Sequence, residues 1–200
     1  MNMKWNKETR LRSITSHGND LMNTYKITLM AMLAAMAVAG RVAFAHLPNI
    51  QPVTAIIILT GFWLGPSAGI IMSLLVTFVS NMVLGMGYWT IWQIISWSLI
   101  GIFAGLLGKV WSKMPVWVLS AFGIFSGLLF GLIISLTMRA AGQPFWAYYI
   151  AGLPMDINHA ISNAVFILVL SPVLGVLFER YQKRNHIITK DKVFSSDHSS

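Results

Sequence analysis

The chain has 200 residues, of which 56% are hydrophobic and only 10% charged, with a mean hydropathy of +0.68. So little charge cannot cover a water-soluble domain of this length, and the apolar residues come in runs that suit a bilayer. The net charge of +8 does not point to nucleic acid, because the basic residues flank apolar runs, and the absence of cysteine excludes disulfides, thiolate catalysis and cysteine metal sites.

Residues 1–24 are polar and basic, with Lys4, Lys7, Arg10 and Arg12, and read as a cytoplasmic tail too polar for a signal peptide. A first span is expected over 25–45, a second over 53–65, a third over 66–84, a fourth over 91–108, a fifth over 115–137 and a sixth over 155–178. The second is short against the ~20 residues of a straight crossing, so a half-crossing is the alternative there. Residues 181–200 form a polar C-terminal tail. These segments predict an all-α integral membrane bundle of six transmembrane helices filling 25–180, with both termini cytoplasmic.

Orientation follows from the cations. With the N-terminus inside, Lys109 and Lys113 fall in an inner loop, and Arg180, Lys183 and Arg184 follow the last span on the inner side. Only Arg139 and Arg41 fall near the outer side. That asymmetry satisfies the positive-inside rule and suits an anionic inner leaflet.

Small residues recur at every fourth position. Gly61, Gly65 and Gly69 lie at the second-to-third junction, and Gly123, Gly127 and Gly131 in the fifth span. Both sets predict close helix packing inside the bundle. The ridge Ala31, Ala35 and Ala39 of the first span suits the same role or a partner subunit.

Polar groups are costly in a bilayer, so their placement is informative. Arg41, His46, Asn49 and Gln51 fall at the outer end of the first span and the loop after it. Asn81 falls near the outer end of the third span. Trp89, Thr90, Trp92, Gln93 and Trp97 form the outer loop before the fourth span and its start. If helical, steps of three and four stack these indoles and the glutamine along one face, as in a lined pocket. Gln143, Trp146, Tyr148 and Tyr149 are expected in the last outer loop, with Asp156, Asn158, His159 and Asn163 starting the sixth span. An outward-facing chamber with apolar walls and a few polar groups is therefore predicted. The bland alternatives are an aromatic belt for the tryptophans, an Arg41–Asp156 ion pair, and Asp156 as helix N-cap after Pro154. His159 has no second histidine or carboxylate at ligand spacing except Asp156 three residues earlier, so no metal or cofactor is expected.

No GxxxxGK[ST] motif is present, so ATP is not bound through a P-loop. Gly123-Ile-Phe-Ser-Gly127 is similar to the serine motif of rhomboid proteases, with His159 on the next span, but the glycine-to-serine spacing differs by one residue.

As a set, several stretches carry a family resemblance: the alanine-rich first span ending in Gly40-Arg41, Pro48-Asn-Ile-Gln-Pro-Val-Thr54, Gly61 to Gly69 with Gly65-Pro66, Ser80-Asn81, and Leu84-Gly-Met-Gly-Tyr-Trp-Thr-Ile-Trp-Gln93. Over residues 26–180 the chain resembles the S components of energy-coupling-factor (ECF) vitamin transporters, the cobalamin type most of all. The resemblance implies a bacterial plasma-membrane subunit, not an enzyme. It implies that the subunit binds a vitamin at its outer side and docks on a transmembrane coupling subunit with two ATPases. It implies Ala31, Ala35 and Ala39 as the docking face and the loop from His46 to Thr54 as a cover over the ligand. The residues expected to bind ligand are Arg41, His46, Asn49, Gln51, Asn81, Trp89, Trp92, Gln93, Trp97, Trp146, Tyr149, Asp156 and His159. The competing reading is a self-sufficient secondary transporter, and the more remote one an intramembrane serine protease.

Overall fold

A computed structural model describes residues 24–197, with side chains described through residue 180. The basic tail expected over 1–24 lies outside the described residues, apart from Thr24. Among the described residues the fold is wholly helical: α1 (Thr24–Ala43), α2 (Val53–Leu64), α3 (Pro66–Leu84), α4 (Trp89–Val110), α5 (Val116–Ala140) and α6 (Phe145–Asp197).

Five of these helices are long and apolar enough to cross a membrane, and α2, with 12 residues, is not. At 1.5 Å per residue it reaches only about 18 Å, against the ~30 Å of a hydrocarbon core. Its sequence explains how a short helix is tolerated. Every residue from Val53 to Phe62 is buried, so α2 is enclosed by protein on all sides. A helix that is hydrophobic all round belongs in such a position.

Glycines set the packing of both helix layers. Gly65 ends α2 with φ +93°, a left-handed backbone that suits glycine, and Pro66 opens α3. A Cβ on either Gly61 or Gly69 would strike the backbone of Gly101 in α4. Two residues flanking the junction thus meet the same point of α4, so the chain reverses there and α2 and α3 pack together on α4. Farther along α4, Gly105 abuts Gly65 and Pro66, and Gly108 abuts the Phe62 carbonyl. The second ridge works the same way on the other layer. Gly123 faces Ile167 and Asn163, Gly127 faces the backbone of Ala160 and His159, and Gly131 faces the Asp156 side chain, so α5 lies flush along α6.

The last helix differs from the expectation. It begins at Phe145 rather than 155, keeps Pro154 and Pro172 in its interior, and runs on through the expected polar tail to Asp197. Proline removes one intrahelical donor, but membrane helices tolerate it where neighbouring groups re-satisfy the freed carbonyl. Pro154 therefore marks no boundary, and Asp156 is not a helix cap. Trp146, Tyr148 and Tyr149 lie in the first turns of α6, not in a loop.

Helix α1 packs on α3 and α2 only along one side, through Leu29, Met30, Leu33, Ala34 and Ala37. Its opposite side, with Ala31, Ala35 and Ala39, is exposed. Since α1 and α3 end, and α2 and α4 begin, at the same end of the bundle, the polar residues of all four meet there.

Candidate functional site

Near that end, every helix contributes to one buried polar and aromatic network. Arg41, two residues before the end of α1, is only 9% exposed. Its Nη1 donates to Ser80 Oγ and, at 2.9 Å, to Asn81 Oδ1, both on α3. Ser80 Oγ in turn donates to the Val76 carbonyl at 2.6 Å. Asn81 Nδ2 donates to Thr90 Oγ1 at 2.9 Å and to Gln93 Oε1 at 2.8 Å, tying α3 to the first turns of α4. The guanidinium also sits 5.1 Å from the centroid of Trp97, a cation–π placement.

Trp97 carries the network across the bundle. Its Nε1 donates to Thr54 Oγ1 of α2 at 2.8 Å, and its ring stacks on Phe130 of α5 with centroids 5.0 Å apart. Thr54 Oγ1 lies 2.8 Å from His159 Nε2 on α6, and Phe130 meets that imidazole edge-on at 5.1 Å. Indole nitrogen only donates, so the Thr54 proton is left for His159, which makes Nε2 the acceptor and puts the ring proton on Nδ1. His159 Nδ1 and Asn163 Oδ1 are buried without a hydrogen-bond partner among the described residues.

Of the residues expected to bind ligand, Arg41, Asn81, Gln93, Trp97 and His159 belong to this network. Asp156, 6% exposed, is one turn from His159 and lies over Gly131. Arg41 and Asp156 form no ion pair among the described residues. Asn49 joins through its backbone: its carbonyl accepts from Ser162 Oγ of α6 at 3.4 Å, and its own φ is +56°. His46 is exposed and Gln51 half-buried in the connection from α1 to α2. Trp146 is 70% exposed, and Tyr149 stacks on Phe145 at 5.6 Å, apart from the network.

The expected lining of Trp89, Trp92, Gln93 and Trp97 divides. Gln93 and Trp97 turn inward, whereas Trp89 and Trp92 are exposed, Trp89 resting against Gly87 and meeting Tyr88 at 5.5 Å. Gln93 is thus paired with Asn81 instead of sitting among three indoles. In the sequence, Thr54 and Ser80 fall inside motif stretches without standing out, Thr90 stands among the polar groups before the fourth span but not among the expected ligand residues, and nothing marks Phe130. A signal existed for the hydroxyls: at the ends of otherwise apolar helices they are candidates for cross-helix bonds.

The protease arrangement does not form. Ser126 Oγ donates to the Phe122 carbonyl of its own helix at 2.7 Å, while His159 Nε2 is engaged by Thr54. The glycines around Ser126 serve the α5–α6 contact. Among the described residues there is no group of three His, Cys, Asp or Glu suited to a metal ion.

The sequence model of one family, described as ECF transporter, substrate-specific component, matches residues 25–179. No curated protein and no solved structure matches the chain.

Proposed function

Since this chain belongs to the substrate-specific components of ECF transporters, multi-pass membrane proteins that associate with an ECF module and a substrate and are transport proteins rather than enzymes, we propose that it captures a vitamin at the outer face of a bacterial plasma membrane. The termini are cytoplasmic, and delivery uses a transmembrane coupling subunit with two ATPases. The best candidate cargo is cobalamin or a cobalamin precursor, whose many amide groups suit a mouth carrying Arg, Thr, Gln and Asp beside aromatic rings. The observation that carries this reading is the convergence of polar side chains from five helices, with Phe130 of the remaining helix against them, at one end of an otherwise apolar bundle, where burial without function would be costly.

The partner face in this reading is the exposed side of α1. Ala31, Ala35 and Ala39 are exposed on the side of α1 opposite its buried residues, with Ala39 bordering an apolar groove beside Pro52, Ile56 and Phe166, so a partner helix can approach the backbone of α1 closely. Ala35→Leu places a bulky side chain there without disturbing the buried face. Co-purification with the coupling subunit is expected to fall at least ~10-fold and ATP-driven uptake with it, while vitamin binding by the isolated chain stays within about twofold. Uptake at the wild-type rate would remove this face from the docking role. Uptake by the purified chain alone in liposomes, without ATP, would favour the self-sufficient transporter.

A further inference from the structure

The hydrogen-bond pattern around Asn81 has a polarity, and its source is Arg41. A guanidinium has donors and no acceptor, so Asn81 must turn Oδ1 toward it. That orientation points Asn81 Nδ2 at Thr90 and Gln93. Gln93 must then answer with Oε1, which leaves its Nε2 group outward. Thr90 Oγ1 receives a second proton from the Gly87 backbone N–H at 3.2 Å, so both of its lone pairs are taken while its own proton is not. Ser80 Oγ is likewise occupied, accepting from Arg41 and donating to Val76.

The network therefore uses up acceptors and leaves donors. Among the described residues, Gln93 Nε2, the Thr90 hydroxyl proton and the remaining N–H groups of Arg41 have no hydrogen-bond partner. Gln93 and Thr90 are half-buried at the start of α4, at the rim of the polar network.

We infer that this rim is a donor edge that takes a carbonyl or carboxylate oxygen of the substrate at Gln93 Nε2 and the Thr90 hydroxyl. The inference rests on the reading that this end of the bundle receives substrate, and it adds the chemical class of the group recognised there. Asn81 is a positioning residue in this arrangement: its three bonds are all internal, and it transmits the orientation set by Arg41.

The test uses the full chain purified in detergent and two substitutions at one position. Gln93→Glu keeps an oxygen for Asn81 but replaces the outward donor with an acceptor. Gln93→Met removes both. Binding is measured by calorimetry for cyanocobalamin, biotin, pantothenate and riboflavin, which carry carbonyl or carboxylate oxygens, and for thiamine, which has neither. The expected result is that a carbonyl-bearing vitamin binds, that Gln93→Met weakens it ~5-fold and that Gln93→Glu weakens it at least ~30-fold, although Gln93→Glu melts like the wild type. A purely structural role gives the reverse order, with Met worse than Glu, and overturns the inference. So does unchanged or tighter binding by Gln93→Glu, or binding of thiamine alone; in each of these the substrate chamber itself stands. Binding of none of the five overturns the vitamin reading and the donor edge together.

Discussion

Gly127→Leu is expected to leave almost no folded protein. A Cβ at Gly127 would lie 2.6 Å from the Ala160 amide nitrogen and 2.7 Å from its Cα. Those atoms belong to the backbone of α6 and cannot rotate away. Overpacking in a core usually costs ~1–3 kcal/mol because side chains yield. Here the two helices must separate along the most extensive contact in the bundle, so the cost should exceed ~4 kcal/mol, which few membrane bundles tolerate. Separation would also pull His159 from Thr54 and Phe130, since His159 precedes Ala160. Gly131→Ala makes the useful comparison. Its new methyl meets the Asp156 side chain, which can swing aside, so that variant should accumulate and melt within several degrees of the wild type. Size-exclusion profiles and thermal melting of the two variants check this; Gly127→Leu with a wild-type profile would show that the glycine ridge is not what seats α5 on α6.

Arg41→Met is the second large effect, and it should fall on binding more than on folding. Methionine fills similar space, and removing a buried cation also removes its desolvation cost, so these two effects partly offset the lost bonds. Cross-helix hydrogen bonds in membrane proteins average only ~0.6 kcal/mol, which predicts a melting shift of a few degrees. The ligand site loses more. Without a cation beside it, Asn81 is free to turn over, the orientation of Gln93 and Thr90 is no longer dictated, and Trp97 loses its cation–π partner. Vitamin affinity should drop ~100-fold or more, about 3 kcal/mol. Calorimetry on the stable variant decides it. Binding within threefold of the wild type would remove Arg41 from the site and leave it as a structural strut.

The helices were legible wherever the signal is local. The third span coincides with α3 at both ends, because Gly65-Pro66 and Leu84-Gly85 punctuate it, and Gly85 takes φ +109° at the C-cap. The sixth begins ten residues before the expected 155, since Pro154 reads as a boundary in water but is accommodated inside a membrane bundle. The site was legible in its members and not in its wiring. Arg41, Asn81, Gln93, Trp97 and His159 stand out as polar or amphipathic groups in apolar runs. Which of them face one another depends on helix packing between residues far apart in sequence, such as Thr54 and His159. The steps of three and four through Trp89, Trp92, Gln93 and Trp97 could not say that Trp97 is buried while Trp89 lies against the Gly87 turn. Phe130 carried no sequence signal at all, being one more apolar residue in a helix of apolar residues.

The direction in which the chamber opens decides between import and any other use of it, and the chain is suited to the measurement because it contains no cysteine. Single-cysteine variants can be made at Gln143, beside the chamber end, and at Ser112, in the turn between α4 and α5, both at exposed positions. In intact bacteria a membrane-impermeant maleimide should label Gln143→Cys at once and Ser112→Cys only after permeabilisation. The opposite pattern would turn the Arg41 network toward the cytoplasm, and capture of a vitamin from outside would be contradicted.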